Sequence, residues 1–278
     1  MARTLDIKRP RGRPPSAKTA QTAGSSVQSL DRALTLLELI AAEDGLTLSD
    51  VAARAGVAPS TAHRILTTLE AHEYVVHDEE RGIWLVGVRA FEVGSSFLRN
   101  RKLVSVGRSI MRTLMETCGE SVNLAIEDSG SIVFISQIES HHPIRAFHRP
   151  GSRGTIHASG VGKALLATRP ENTVRTILHK TGLKKFTDKT LNSPEKLFAD
   201  LAVVRERGWA IDDEERTPGM RCVAAPIFNE YGEAIAGLSI SGPTVRIPDE
   251  RLGELGPAVR RAAEEITKSI GGHAPDLE

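Results

Sequence analysis

The sequence has few of the residues on which disulfide-rich, metal-binding and membrane proteins depend. Its 278 residues include two cysteines, Cys118 and Cys222, which are too few and too far apart for a disulfide framework or a zinc ligand set. No apolar run approaches the roughly 20 residues that cross a membrane. The basic N-terminus lacks the apolar segment of a secretory signal. We therefore expect a cytoplasmic protein without membrane contact, metal or cofactor.

The chain also lacks an overall excess of one charge, since its formal net charge is +1. The charges are unevenly distributed, however. Residues 1–20 carry six Lys or Arg residues against one acid, whereas residues 27–86 carry four arginines against ten acids. Because neutralisation of phosphates supplies most of the nonspecific affinity for nucleic acid, residues 27–86 would need help from the basic N-terminal segment or from a second copy of the chain.

The most informative pattern lies in residues 47–85. Thr47 predicts the capped start of a helix, Gly56 its left-handed end, and Pro59 the first turn of a second helix. A hairpin pattern follows at residues 74–85. This order of elements is typical of a winged helix-turn-helix, which reads duplex DNA.

The second of these helices presents a polar face that suits a major groove. Apolar residues at helical spacing leave the opposite face to hydroxyl groups and one arginine, and no acid occurs from Ser60 to Leu69. An alternative that this absence of acids disfavours is an αα-hairpin with an ordinary β-hairpin attached. The candidate DNA contacts on this helix, on a further helix predicted at residues 27–43 and at the hairpin tip are Ser29, Arg32, Ser60, Thr61, His63, Arg64, Thr67 and Arg81.

Residues 1–26 are rich in Pro, Gly, Ser and basic residues and are expected to be disordered when free. Within them, Arg11-Gly12-Arg13-Pro14 resembles the AT-hook, whose arginines enter the narrow minor groove of A·T tracts. We therefore add Arg11 and Arg13 to the candidate DNA contacts. A generic basic tail is the alternative interpretation. If this N-terminal segment supplied most of the DNA affinity, the protein would be an architectural DNA protein.

Two helices are predicted around the winged helix-turn-helix. Residues 27–43 predict an amphipathic helix that completes its core, and residues 87–102 predict a linker helix. The face of the first helix that we expect to be buried consists of Leu30, Leu34, Leu37 and Ala41.

From residue 103 onward, strand and helix patterns alternate. An antiparallel sheet flanked by helices is an α+β architecture typical of sensor domains. Strands are expected at residues 122–127, 132–138, 144–147, 222–228 and 234–241. Helices are expected at residues 103–118, 160–168, 171–180, 194–207 and 248–270.

Several segments, in the same order, resemble the IclR family of bacterial transcription regulators. They are VQSLDRAL at 27–34, LVG at 85–87, HASGVGKALLA at 157–167, GWAIDDEE at 208–215, GMRCVAAP at 219–226 and LSISG at 238–242. The resemblance implies a winged-helix DNA-binding domain at 27–86, a linker helix at 87–102 and a GAF-like effector-binding domain at 103–278. It also implies homodimers that pair into homotetramers on double-stranded operator DNA.

The resemblance further implies a site for a small keto acid, as in members that respond to glyoxylate or pyruvate. Free N–H groups at a helix start favour a carboxylate, and two serines that alternate along a strand share one face. Ile156, Met220 and Leu238 are expected apolar walls. The effector-binding residues that the resemblance implies are Gly160, Val161, Asp212, Cys222, Ser239 and Ser241.

Two other interpretations stay open. Many relatives govern aromatic catabolism, so an aromatic acid is the alternative effector. A less favoured alternative is an enzyme with Cys222 as nucleophile and His157 or Asp212 as base. Since the chain has no recognisable nucleophile elbow or metal-ligand spacing, we expect no catalytic residue. Cys222 and His157 can also be read as an ordinary buried thiol and a hydrogen-bonded core histidine.

Overall fold

The computed structural model describes residues 27–99 and 102–275. Arg11 and Arg13, and with them the predicted AT-hook-like segment, lie outside the described residues. The contacts divide the chain into two compact units, with the boundary between Gly94 and Ser95. None of the described helices is long and apolar enough to span a membrane.

The first unit is a helix-turn-helix followed by a two-stranded hairpin. Thr47 Oγ1 accepts a hydrogen bond of 3.2 Å from the Asp50 N–H, Gly56 adopts a φ of +64°, and Pro59 lies in the first turn of its helix, as predicted. Its elements are α1 (Gln28–Ala42), α2 (Leu48–Ala55), α3 (Pro59–Ala71), β1 (Val75–Asp78) and β2 (Ile83–Val86), followed by α4 (Val88–Arg99).

The buried face of α1 differs from the prediction. Leu36 and Ile40 are buried in the core of this unit, whereas Leu30 is 58% and Leu34 is 51% exposed. Ala41 is also exposed. Two overlapping stripes of this leucine-rich helix satisfy helical spacing, and the contacts of α1 with α2, α3 and β2 select the stripe that contains Leu36 and Ile40.

The second unit is a six-stranded antiparallel sheet with helices on both faces. The strand order is β5-β4-β3-β8-β7-β6. Helices α5 and α9 pack on one face, and α6, α7 and α8 cover the other. Its helices are α5 (Lys102–Cys118), α6 (Gly160–Ala167), α7 (Glu171–Thr181), α8 (Pro194–Arg207) and α9 (Asp249–Ser269). Its strands are β3 (Ser121–Asp128), β4 (Ser131–Ile138), β5 (Arg153–Thr155), β6 (Ala210–Asp213), β7 (Met220–Phe228) and β8 (Ala234–Pro243).

The strand predicted at 144–147 is wrong. These residues form no strand, and Ile144 is 74% exposed. The edge position next to β4 is taken instead by β5, whose three residues pair with Ser131, Ile132 and Val133. A strand pattern is reliable only when one face of the segment is buried along its length, and here Ala146 is buried whereas Ile144 and Phe147 are exposed.

Candidate functional site

The predicted DNA contacts of α3 lie on its outer face. Ser60, His63, Arg64 and Thr67 are exposed and Thr61 is half-buried. The opposite side of the helix is anchored by apolar residues in the core of the unit. The burial pattern therefore leaves the polar face of α3 free to meet a groove of DNA.

A groove of about 490 Å³ between α1 and α3 brings four of the predicted contacts together. They are Ser29 and Arg32 from α1, and Thr61 and Arg64 from α3. Within the described ranges, neither arginine has a carboxylate partner, and both guanidinium groups are available to phosphate or base edges.

The other arginines of this unit have different surroundings. Arg54 forms an ion pair of 2.7 Å with Glu43. Arg81 lies in the β1–β2 turn, where its side chain is 62% exposed and 3.9 Å from Asp78. The hairpin tip therefore presents Arg81 to solvent, next to an acid that weakens its attraction for phosphate.

The second candidate site is built around the start of α6. Ser159 Oγ accepts a hydrogen bond of 3.0 Å from the Gly162 N–H, and all eight residues of the helix are buried. The Val161 N–H has no hydrogen-bond acceptor among the described residues. An unsatisfied N–H at a buried helix start is a place where an anion binds favourably.

Glycines allow this helix start to lie directly on the sheet. A Cβ atom on Gly162 would lie 1.9 Å from the Ile156 carbonyl oxygen, and one on Gly160 would lie 2.9 Å from Cys222 Sγ. From the sheet side, a Cβ on Gly237 would lie 2.7 Å from Val161 Cγ1. No side chain fits at any of these three contacts without a shift of its neighbours.

The strand register places the remaining predicted residues on the same face of the sheet. Asp212 of β6 is opposite Cys222 of β7, and Cys222 is opposite Ser241 of β8. Ser239 lies two residues away on β8 and faces the same side. The structure thus brings all six predicted effector-binding residues together where α6 meets the sheet; their role in binding stays a prediction.

Burial raises the pKa of two of these side chains, which favours their uncharged forms. Burial raises the pKa of the Cys222 thiol to about 11, with a further contribution from Asp212, although contacts with Ser241, Ser239 and the Gly160 N–H oppose the shift. Burial also raises the pKa of Asp212 to about 6, against the effects of a 2.8 Å hydrogen bond from the Glu215 N–H and of nearby Lys163. The thiol is therefore neutral at pH 7.

The structure supports one of the apolar residues expected to line the site and excludes another. Ile156 is buried in the same cluster as Val161. Leu238, in contrast, belongs to the core on the opposite face of the sheet, packed with residues of α5 and α9. It is adjacent to Ser239 along β8, and neighbouring strand residues point to opposite faces, so Leu238 is no wall of this site.

Four polar residues of this region were not predicted from the sequence. Asn123 Nδ2 lies 3.2 Å from Ser241 Oγ, and Gln137 Nε2 lies 2.7 Å from Asn123 Oδ1. Lys163 is 1% exposed, and its ammonium contacts the Glu215 carboxylate. The sequence signal that could have found them is a polar residue inside an apolar run, as with Asn123 in β3 and Lys163 in α6.

His157 fits the interpretation as a core histidine. Its Nε2 lies 3.0 Å from the Lys184 carbonyl oxygen, and burial lowers the pKa of the imidazole. It is therefore a neutral, hydrogen-bonded core residue. In the described part of the chain, no group of three or more His, Cys, Asp or Glu side chains could hold a metal ion.

A separate cavity of about 450 Å³ lies at the other end of α6. None of the six predicted residues lines it. Its walls are mainly apolar, and two of its arginines already have partners, since Arg169 pairs with Glu127 and Arg260 with Glu264. The start of α6, with its free N–H group and two hydroxyls, is chemically the better carboxylate site.

Two profiles of known protein families match most of the chain. A family profile described as "Bacterial transcriptional regulator IclR C-terminal" matches residues 95–268, and "IclR helix-turn-helix domain" matches residues 29–79.

Individual proteins match over nearly their full lengths. The HTH-type transcriptional regulator BhcR of Paracoccus denitrificans is 48% identical over 93% of this chain and 92% of its own length. The transcriptional repressor IclR of Escherichia coli is 45% identical over 94% and 96%. A solved IclR homolog from Microbacterium hydrocarbonoxydans, complexed with 4-hydroxybenzoate, superposes with a TM-score of 0.77 at 26% identity over 87% of this chain and 99% of that one.

Proposed function

Because the chain belongs to the IclR family of bacterial transcriptional regulators, with a DNA-binding helix-turn-helix and a ligand-binding C-terminal domain, we propose that its ligand is a small keto acid, glyoxylate or pyruvate. Binding of this acid at the start of α6 changes the affinity of the protein for operator DNA.

The observation that carries the proposal is the buried Val161 N–H without an acceptor among the described residues, beside the hydroxyls of Ser239 and Ser241. A carboxylate satisfies all three donors at once. The close approach of Gly160 to Cys222 favours an acid of two or three carbons over a larger one.

Calorimetry on the full chain with glyoxylate, pyruvate and protocatechuate tests the effector. We expect both keto acids to bind and Ser241→Ala to weaken them by about tenfold, as for one lost hydrogen bond to a charged group. Ser136→Ala is the matched control, because Ser136 is a buried serine of β4 outside the site. Tight binding of protocatechuate alone would replace the keto acid with an aromatic acid, the alternative favoured by the 4-hydroxybenzoate complex of the solved relative.

The DNA interface of the proposal consists of the polar face of α3, the α1–α3 groove and the hairpin tip. Arg64→Ala is expected to weaken operator binding by about tenfold or more, because one base or phosphate contact of this kind contributes on the order of 1–3 kcal/mol. Arg54→Ala is the control, since Arg54 is paired with Glu43. Equal losses in the two variants, measured by fluorescence anisotropy, would contradict this interface.

We also propose that the chain acts as a homodimer that pairs into a homotetramer. Support comes from exposed apolar side chains of the first unit outside the α1–α3 groove, since Val88 and Phe91 of α4 are 62% and 73% exposed. Two copies also double the arginines available to DNA. Sedimentation equilibrium with and without operator DNA tests the assembly, and a monomer under both conditions would refute it.

A binding role for Cys222, not a catalytic one, is part of the same proposal. The thiolate is the nucleophile in cysteine enzymes, and a thiol with a pKa of about 11 is almost fully protonated at pH 7. Turnover of a keto acid that disappears in Cys222→Ala would overturn this assignment.

A further inference from the structure

A chain of side-chain amides links the backbone of residues 146–148 to the serines of the site. We propose that Gln137 and Asn123 are positioning residues that force Ser239 and Ser241 to donate hydrogen bonds into the site, and that they thereby select a carboxylate over a neutral ligand of the same shape. This inference rests on the proposed function, in which the two serines contact the effector.

The chain of amides begins at groups whose hydrogen-bonding roles cannot change. The backbone N–H of His148 can only donate, and it lies 3.3 Å from Gln137 Oε1. The carbonyl oxygen of Ala146 can only accept, and it lies 3.3 Å from Gln137 Nε2. The two backbone groups together fix which end of the Gln137 amide is oxygen and which is nitrogen.

The backbone of this loop is itself held in place. Ser121 Oγ donates to the Ala146 carbonyl oxygen at 2.9 Å and accepts from the Ser140 N–H at 3.1 Å. Ser121 is fully buried on β3, directly opposite Ser241 of β8. The loop that orients Gln137 is therefore tied to the same sheet that carries the site.

Gln137 then fixes the orientation of Asn123. Its Nε2 donates to Asn123 Oδ1 at 2.7 Å, so the nitrogen of the Asn123 amide must point the other way. That nitrogen lies 3.2 Å from Ser241 Oγ and 3.4 Å from Ser239 Oγ. Asn123 is 0% exposed, so water does not compete for these hydrogen bonds.

Each serine oxygen accepts a hydrogen bond from Asn123, which leaves its own hydrogen free to point elsewhere. Ser241 is opposite Cys222 and Ser239 is opposite Ala224, and both of these β7 side chains face Gly160, so the two hydroxyls lie on the site side of the sheet. Together with the Val161 N–H, the site therefore offers hydrogen-bond donors. A carboxylate oxygen accepts from all of them, whereas the NH₂ of a neutral amide would face donors with hydrogens that stay unpaired.

The test compares pyruvate with its neutral amide, pyruvamide, by calorimetry on the full-length protein. In wild type we expect pyruvate to bind more tightly. Gln137→Glu replaces the donor that faces Asn123 with an acceptor, so the Asn123 amide turns and its oxygen takes the serine hydrogens. We expect the selectivity for pyruvate over pyruvamide to fall by at least about 30-fold, as for the loss of two donors to a charged group.

Gln137→Met separates hydrogen-bond direction from charge. It frees Asn123 to take either orientation without adding a negative charge, and we expect the selectivity to fall by about threefold or more. An unchanged selectivity in Gln137→Met, or equal losses of pyruvate and pyruvamide in both variants, would overturn the proposal. Ser136→Ala, on the same strand as Gln137, should leave the selectivity unchanged.

Neutron diffraction on the unliganded protein tests the orientation of the Gln137 and Asn123 amides without any effector. Deuterium on the Asn123 atom that faces Ser239 and Ser241 supports the proposal, and an oxygen there overturns it. If wild-type protein binds neither glyoxylate nor pyruvate, the keto-acid effector is refuted, while the neutron structure still decides the direction of the hydrogen bonds.

Discussion

Gly160 and Gly162 lie two positions apart in α6, yet a methyl group would meet different neighbours at each. At Gly160 the nearest atoms belong to the side chains of Cys222 and Ala224, at 2.9 and 3.2 Å. At Gly162 all three nearest atoms belong to the backbone of Ile156. The Cys222 sulfur, the closest of these atoms, can move by rotation about χ1, whereas the backbone of Ile156 cannot, so the first glycine shapes the site and the second shapes the fold.

We therefore predict that Gly160→Ala folds, at a cost of about 1–3 kcal/mol for overpacking, and loses keto-acid binding. Gly162→Ala is expected to unfold the second unit. Gly253→Ala in α9 is the control, because nothing lies within 4 Å of its Cβ position and alanine favours a helix by about 1 kcal/mol. Thermal unfolding and calorimetry of the three variants distinguish these outcomes, and a Gly160→Ala protein with wild-type affinity would contradict the position of the site.

Asp212 predicts a pH dependence of effector binding. A bound carboxylate favours the protonated form of a neighbouring acid, so a proton is taken up on binding and the affinity falls as the pH rises through the pKa of about 6. We expect a loss of about tenfold between pH 5 and pH 8, equivalent to one pKa unit of coupling. Asp212→Asn should flatten the profile. A profile that keeps its slope in this variant would assign the titration to another group, of which Glu215, with a pKa raised by burial to about 7, is the nearest candidate.

At the scale of elements, α1 offers a matched pair of leucines. Leu36→Ala removes a fully buried side chain and is expected to destabilise the first unit by about 2–5 kcal/mol. Leu34→Ala removes a half-exposed one and is expected to change its unfolding by less than about 0.5 kcal/mol. Urea denaturation measures the free energy of unfolding of both variants. The probe is the fluorescence of buried Trp84, and Trp209→Phe removes the other tryptophan. Equal losses would favour the helix face that contains Leu30 and Leu34 as a second buried face.

The elements that could be predicted from the sequence are those whose ends are marked by local sequence signals. A capping threonine, a left-handed glycine and a proline at the first turn placed α2 and α3 correctly, because each signal acts within one turn of helix. The buried face of α1 could not be predicted in this way. Its apolar residues fit two overlapping faces of the helix, and only the tertiary contacts with α2, α3 and β2 determine which face is buried.

The same limit applies to the site. Its six predicted residues came from a family pattern, whereas Asn123 and Gln137 belong to strands β3 and β4, about 100 residues away from β8 in sequence. Only the pairing of β3 with β8 brings Asn123 to Ser239. The edge strand β5 was missed for a related reason, since its three residues, Arg-Gly-Thr, carry no strand pattern of their own.

For the whole molecule, the charge distribution predicts a strong contribution of the N-terminal segment to DNA affinity. Residues 27–86 carry ten acids and four arginines, whereas residues 1–20 carry six basic residues and one acid. Deletion of residues 1–26 is expected to weaken operator binding and to reduce the slope of log affinity against log salt by roughly 0.9 for each phosphate that the shortened protein no longer neutralises. Retained preference for the operator over unrelated DNA would support the regulator, and complete loss of binding would favour an architectural role.

Coupling between effector binding and DNA binding must be reciprocal. If the keto acid changes operator affinity by some factor, operator DNA changes keto-acid affinity by the same factor. A variant such as Gly160→Ala, which blocks the effector site, should therefore bind operator DNA as unliganded wild type does, with or without the acid.

The glycine and alanine contacts between α6 and the sheet also limit how this protein can be re-engineered as a biosensor. Directed evolution commonly widens a binding pocket by trimming large side chains to small ones. Here Gly160 and Gly237 leave nothing to trim on one side of the closest contacts, and the side chains that face them, Cys222 and Val161, belong to the proposed site itself. Recognition of a bulkier metabolite would require the whole helix to be lifted from the sheet, so libraries aimed at the packing of α6 against α8 offer more than libraries aimed at the pocket lining itself.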